Sequence, residues 1–224
     1  MLKISLAQRD TDDWHQAVEL ARTTYADVYA ADIKPDPDAF VVASRADADR
    51  PEDEDARALV GCAGLTYGLD RPFFSERYLD TGVEEAIAAH TGGPVDRGRV
   101  IEIGALAGPG GAGREMVRLI PIIAWTMGME YILCTATEQL GTLFDRLGVN
   151  FTALGEADPG RLGPGEPATW GTYYDQRPVA GFIDLSRLSG LFAGSTGRYA
   201  FFAPVVELLT ETTGAREVAS RAGR

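Results

Sequence analysis

Residues 99 to 137, RVIEIGALAGPGGAGREMVRLIPIIAWTMGMEYILCTAT, constrain the fold of this 224-residue chain more than any other stretch. RVIEIGALA at 99 to 107 reads as a strand, and GPGGAG at 108 to 113 reads as a turn-rich loop. GREMVRLIPIIAWTMGM has the apolar spacing of a helix, with a kink expected at Pro121, and YILCTAT at 131 to 137 reads as a buried strand. TEQLGTLFDRLG then closes a short helix on a glycine, and VNFTALG at 149 to 155 is a further strand. This β-α-β-α-β run belongs to an α/β chain with a mixed sheet, the α+β mixed class.

Upstream, LKISLA at 2 to 7 suits a first strand. DTDDWHQAVELARTTYADVYAAD at 10 to 32 opens with helix-capping chemistry and continues at helical spacing, giving one or two helices. AFVVAS at 39 to 44 and ALVGCAGLTYG at 58 to 68 form an expected hairpin across the acidic, solvated stretch DADRPEDED. RPFFSERYLDTGVEEAIAAHTGG at 71 to 93 leads from an aromatic cluster into a helix stopped by two glycines. Residues 156 to 171 are rich in proline and glycine and predict a long loop, and TYYDQRPVAGFIDL at 172 to 185 predicts a last strand. Beyond it lie an amphipathic helix expected at 199 to 211 and a polar end with a disordered composition. The apolar FFAPVVELL of that tail would cover a sheet edge or meet a second subunit in a homodimer.

The 33 acidic and 21 basic residues give a formal charge of -12, a field that repels phosphate backbones and argues against nucleic acid as a partner. Two cysteines, Cys62 and Cys134, and two histidines, His15 and His90, lack the spacing of a metal site, so no metal is expected. The chain shows neither a leader nor an apolar run long enough to span a bilayer, and it reads as a soluble, cytoplasmic protein without stable membrane insertion.

Two features of the opening stretch carry chemistry. Amides freed at a helix start attract anions, and glycines let a diphosphate approach the backbone, so Gly108, Gly111 and Gly113 can be read as a phosphate loop or as a plain strand-to-helix turn. Glu102 stands between Ile101 and Ile103 in the strand. It reads either as a desolvated general base or as a carboxylate bound to Arg99, Arg114 or neighbouring amides. Cys134 has no histidine beside it in sequence and reads as core.

RPFFSERYLD, PVDRGRVIEIGALA, GAGR, TATEQLGTLFDRLGV, ALGEADPGRLG and WGTYYDQRPVAG, in this order between about residues 70 and 185, resemble the thermostable hemolysin family, whose members look like GNAT-type acyltransferases. The resemblance implies a GNAT-like domain over 1 to 185, with 186 to 224 as a partly helical C-terminal extension. It implies splayed central strands: the fourth strand parts from the fifth and admits the pantetheine arm of an acyl-CoA, or of an acyl-carrier protein, as co-substrate. Ala105, Leu106, Ala107, Gly108, Gly111, Ala112, Gly113 and Arg114 would then hold that arm and its diphosphate. Glu102 falls where some relatives carry a general base, for direct attack by the amine of a small metabolite.

The sequence also departs from the pattern. Gly108 stands where the family's loop begins with Arg or Gln, and Ala105 gives GALA where members often read GNLA. Phe144 occupies the place of a tyrosine that protonates the leaving thiolate, so Tyr173 or Tyr174 would supply that proton, or the thiolate leaves unaided, or the chemistry is lost. Phe74, Tyr78 and Asp175 are candidate substrate contacts, although YYD at a strand start equally reads as edge packing. Two other readings stand beside the acyltransferase: an enzyme like the acyl-homoserine lactone synthases, taking S-adenosylmethionine as acceptor, and a degenerate acyl-CoA-binding protein. The family name suggests membrane lysis, but the chain has no basic amphipathic helix to support it.

Overall fold

Every apolar run read as a strand joins one seven-stranded sheet in a computed structural model that describes residues 2–46, 57–69, 71–108 and 111–188. The strands are β1 (Leu2–Gln8), β2 (Ala39–Ala46), β3 (Arg57–Tyr67), β4 (Val100–Ala107), β5 (Tyr131–Ala136), β6 (Phe151–Glu156) and β7 (Val179–Asp184), in the order β1-β2-β3-β4-β5-β7-β6. Only β4 and β5 pair in parallel; the other neighbours are antiparallel. The mixed sheet is that of the GNAT-like fold. The acidic stretch 47 to 55 and the helix expected at 199 to 211 lie outside the described residues.

The helices are α1 (Asp12–Tyr29), α2 (Val83–Thr91), α3 (Gly111–Thr126), α4 (Glu138–Leu147) and the single turn α5 (Glu166–Thr169). The segment from 10 to 32 forms one helix, not two. The Thr11 side chain accepts from the Trp14 amide, and the helix ends at Ala30 in the left-handed region. Thr137 caps α4 in the same way, and left-handed Gly92 and Gly148 stop α2 and α4. α3 continues past Pro121 to Thr126, so the proline does not break it. No described helix is long and apolar enough to cross a membrane.

Alternation along the strands divides these helices between two faces. Trp14, Ala17 and Ala21 of α1 pack on Phe40, Val42, Cys62 and Ala107. Val83 and Ile87 of α2 pack on Phe73, Val100, Leu133 and Phe182. α3 covers the opposite face: a Cβ on Gly61, beside Cys62 but pointing the other way, would meet the Met116 sulfur at 2.7 Å.

Strand order adds what the β-α-β-α-β run left open, and one expectation needs correction. β7 inserts between β5 and β6, so the strand after α4 becomes the sheet edge. Burial explains the choice: Ala180, Phe182 and Ile183 of β7 are buried, whereas no residue of β6 is fully buried. Tyr173–Gln176 is a three-ten turn rather than a strand start, because Arg177 adopts φ 46° and pairing resumes only at Val179, after Pro178.

The proline- and glycine-rich segment is ordered against the C-terminal end of α1. The Thr172 amide donates to the Tyr29 carbonyl at 2.8 Å, and the Asp32 amide donates to the Thr169 carbonyl at 2.7 Å. Between them Gly171, at φ 52°, presses its α-carbon against the carbonyls of Tyr29 and Ala30, where a Cβ would collide. Arg77 pairs with Glu166, and Arg161 with Asp80 at 2.7 Å. Gly171→Ala is expected to cost about 3 kcal/mol or more, through both the left-handed backbone and the collision. Gly111→Ala meets no atom within 4 Å and is expected to leave the denaturant midpoint unchanged or slightly raised. Urea unfolding of the two variants checks both outcomes.

Candidate active site

The β4–β5 ladder lasts only from Val100↔Tyr131 to Ile103↔Cys134. Both strands continue, β4 to Ala107 and β5 to Ala136, without further pairs between them. On its other edge β4 stays with β3, but it takes three steps from Gly104 to Ala107 where β3 takes two, from Gly64 to Cys62. The extra residue is a bulge, and Ala105 within it has φ 47°. A bulge bends and twists its strand, which turns the end of β4 away from β5 and opens a gap between Gly104–Ala107 and Thr135–Ala136. Main-chain groups facing the gap have no partner in the β4–β5 ladder.

The glycine loop leads from the end of β4 to the start of α3. A Cβ on Gly113 would lie 2.7 Å from the Gly108 carbonyl oxygen, and one on Gly108 would lie 3.2 Å from the Gly113 nitrogen and from the Gly61 α-carbon. Those two glycines let the backbone fold on itself. Gly111 is different: it faces open space at the first turn of α3, so close packing does not require a glycine there. Arg114 is exposed on the same turn, and residues 109 and 110 are outside the described residues.

Glu102 is 6 % exposed, and both of its oxygens are occupied. Oε2 accepts from the Phe74 amide at 2.7 Å; Oε1 accepts from the Ser75 amide at 2.7 Å and the Ser75 hydroxyl at 2.6 Å. Arg99 pairs instead with Glu130 at 3.0 Å. Burial pushes the Glu102 pKa up, the Ser75 and Phe74 hydrogen bonds draw it part-way back, the Glu76 charge adds to the rise, and it stands above the ordinary carboxylate value.

The donors of Glu102 belong to a turn held from below. Arg97 donates to both oxygens of Glu76 at 2.8 and 2.6 Å, to Glu84 at 2.9 Å and to the Gly68 carbonyl at 2.7 Å, with its guanidinium 4.7 Å above the Phe73 ring. Glu76 also accepts from the amides of Phe73 and Val83. Burial alone would raise the Glu76 pKa, but the Arg97 and amide hydrogen bonds outweigh it and hold the carboxyl below its usual value.

Rings from three segments gather beside this turn: Tyr25 and Tyr29 of α1, Phe74 and Tyr78, and Trp170, Tyr173 and Tyr174. Tyr173 lies 5.3 Å from Tyr29 and 5.2 Å from Trp170, and Phe74 lies 5.5 Å from Trp170. The Tyr173 hydroxyl donates to the Thr135 carbonyl at 3.5 Å, and burial keeps the phenol protonated well past its ordinary range. Tyr174 and Tyr78 share a hydroxyl–hydroxyl bond of 2.6 Å. Asp175 is exposed. Phe144 is buried 5.4 Å from Phe151 of β6, with β7 between that strand and β5. Burial pushes the Cys134 thiol up to about 12, in keeping with a thiol packed in the core. A cavity of about 610 Å³ opens beyond the end of β5, with Tyr174, Thr137 and Val179 on its wall.

Glu102 and Tyr173 thus meet at Thr135, the first through Ser75. Sequence reasoning overlooked Ser75 and Thr135 themselves, and it also overlooked Arg97 and Glu76. Nothing in the spacing of SER or TAT marks a hydroxyl pair that forms across 60 residues.

The model of a family described as thermostable hemolysin matches residues 7–188. No curated protein matches the sequence. Among solved structures the chain is similar to the AHL synthase LasI, with TM-score 0.55 and 11% identity over 86% of this chain and 95% of that one. It is similar to MesI, a CoA-dependent acyl-homoserine lactone synthase, with TM-score 0.54 and 16% identity over 90% and 100%. It is also similar to FeeM, an N-acyl amino acid synthase from uncultured soil microbes, with TM-score 0.51 and 14% identity over 85% and 98%. At these identities the likeness is one of fold.

Two stability measurements follow from the geometry. Ala105→Gly is expected to stabilise by roughly 0.5–1 kcal/mol, because glycine removes the left-handed cost, and Ala105→Val to destabilise by more than that; thermal melts of both variants check this. Glu76 has a lowered pKa in the fold, so its contribution is present above the unfolded value of about 4.3 and is lost as pH falls through the folded value. The gap in urea midpoint between the wild type and Glu76→Gln is therefore expected to be full at pH 6 and to close as pH falls below about 4.

Proposed function

The chain belongs to the thermostable hemolysin family, and from that premise we propose that it is an N-acyltransferase, moving an acyl group from acyl-CoA, or from the phosphopantetheine of an acyl-carrier protein, to the amine of a small metabolite. The observation that carries this reading is the gap between β4 and β5 with Glu102 buried beside it. Two parallel strand edges that have lost each other as partners offer main-chain groups to an extended ligand that carries amides, as a pantetheine arm does. The amides at the start of α3, with open space at Gly111, suit its diphosphate, and Arg114 adds charge on the same turn.

The amine attacks the thioester carbonyl directly. An amide of the bulged segment Ala105–Ala107 donates to the developing oxyanion, Glu102 takes the proton from nitrogen, and the C–S bond breaks with its electron pair on sulfur. Tyr173, protonated and hydrogen-bonded to the Thr135 carbonyl, is the acid for the thiolate, in the role that Phe144 cannot fill. Phe74, Tyr78, Tyr174 and Asp175 border the acceptor side. MesI is described as a CoA-dependent acyl-homoserine lactone synthase and FeeM as an N-acyl amino acid synthase, and both support transfer of an acyl group to an amine. A homoserine-lactone-type reaction, with S-adenosylmethionine as acceptor, is the second reading, favoured by the fold likeness to LasI and MesI.

Calorimetric titration with CoA, acetyl-CoA and a long-chain acyl-CoA tests the donor site. Micromolar binding is expected for at least one of them, weakened tenfold or more in Gly111→Asp, whose side chain enters open space and repels the diphosphate. Glu102→Gln should keep donor binding and lower kcat by about 10²–10⁴ in an amine screen. Absence of binding to every donor, together with absence of acylation of any amine, overturns the reading.

A further inference from the structure

Glu102 is nearly closed to solvent, and its partners leave one route for a proton. Main-chain amides of Phe74 and Ser75 stabilise its charge but do not pass protons; the Ser75 hydroxyl, 2.6 Å from Oε1, is the one hydroxyl on the carboxylate among the described residues. Ser75 is itself 1 % exposed, so it cannot meet a substrate. Its hydroxyl lies 2.9 Å from Thr135 Oγ1. Thr135 is half-buried, and it is the first residue of β5 beyond the last pair with β4. It shares a face with Leu133, the register partner of Glu102.

We propose that Thr135 and Ser75 form a two-hydroxyl proton wire from the β4–β5 gap to Glu102. The wire rests on the acyltransferase reading above, in which Glu102 receives the amine proton. As the N–C bond forms, the amine proton passes to Thr135 Oγ1, the Thr135 proton passes to Ser75 Oγ, and the Ser75 proton passes to Glu102 Oε1. Each hydroxyl gains one proton and gives one up, and the carboxylate ends protonated. Departure of the thiolate with the C–S electron pair and its protonation then complete the transfer. Thr135 is the end that meets the substrate, and Ser75 is a positioning residue that hands the proton inward. The ionisable groups around the carboxylate are Glu76 and Tyr78 on the turn and Cys134 on β5. Of these, burial places Tyr78 and Cys134 in their neutral forms near pH 7, leaving Glu76, tied to Arg97, as the charged neighbour.

The test uses the full chain and an amine that it acylates, with Thr135→Val, Thr135→Ser, Ser75→Ala and Glu102→Gln. Thr135→Val preserves the β-branched shape and removes only the hydroxyl. It is expected to lower kcat by about 10²-fold, with acyl-donor Kd and amine KM within about twofold of wild type, and Thr135→Ser should recover most of the loss. In mixtures of light and heavy water the wild-type rate should curve downward, as two or more protons move together, and the curvature should vanish in Thr135→Val. Carbon-13 NMR of the glutamate carboxyls adds a readout free of activity: Ser75→Ala removes a hydrogen bond to the charged form and should move the Glu102 titration upward. Wild-type kcat in Thr135→Val with a dead Glu102→Gln overturns the wire and leaves the base in place. A loss in Thr135→Val that serine does not restore assigns Thr135 to packing and also overturns the wire. Full activity in Glu102→Gln, or no acylation of any amine by a wild type that binds donor, overturns the acyltransferase chemistry beneath it.

Discussion

A carboxylate withdrawn from water must be hydrogen-bonded on every side it can be, or the charge is lost or the fold opens. Glu102 meets this demand with donors from Phe74 and Ser75, and that one requirement organises a large part of the molecule. The turn that supplies the donors has little structure of its own. It is fixed because Glu76, one residue further on, binds Arg97 and the amides of Phe73 and Val83. Arg97 in turn joins the end of β3 at Gly68 to α2 at Glu84. Removing the arginine would therefore loosen the donors of a carboxylate that it never touches.

The second constraint is the bulge in β4. A parallel pair of regular strands would continue its ladder past Ile103↔Cys134 and close the gap. One extra residue prevents this at the cost of placing Ala105 in a backbone region that alanine enters with strain. The fold accepts it because β3 still grips β4 at Cys62↔Ala107 on the far side of the bulge.

What could be read from the sequence was local, and what could not was long-range. Thr11, Thr137, Gly92 and Gly148 are caps whose chemistry acts within one turn, so helix limits followed from composition. The strand, glycine loop and helix around Glu102 were legible for the same reason. The insertion of β7 between β5 and β6 was not, because it depends on which strand has two apolar faces to bury, and a pattern such as VAGFID shows this only when set against FTALGE. YYD looked like a strand start because tyrosine favours strands, yet Arg177 and Pro178 fold it into a turn, and the Tyr173 ring then packs against α1. Glu102 was legible as a buried acid, and amide binding was one of the two readings, but donors 27 and 28 residues upstream leave no trace in the spacing.

Thr172 and Tyr29, joined by a main-chain bond and by the threonine hydroxyl at 3.2 Å, are 143 residues apart along the chain. A contact closing so large a loop gives up chain entropy that no local element repays in advance. The same closure brings together the rings of Tyr25, Tyr29, Trp170 and Tyr173, a cluster built from both ends of that loop. Trp170, whose ring meets those of Tyr25, Phe74, Tyr173 and Tyr174, is thus a native optical reporter of that long-range closure.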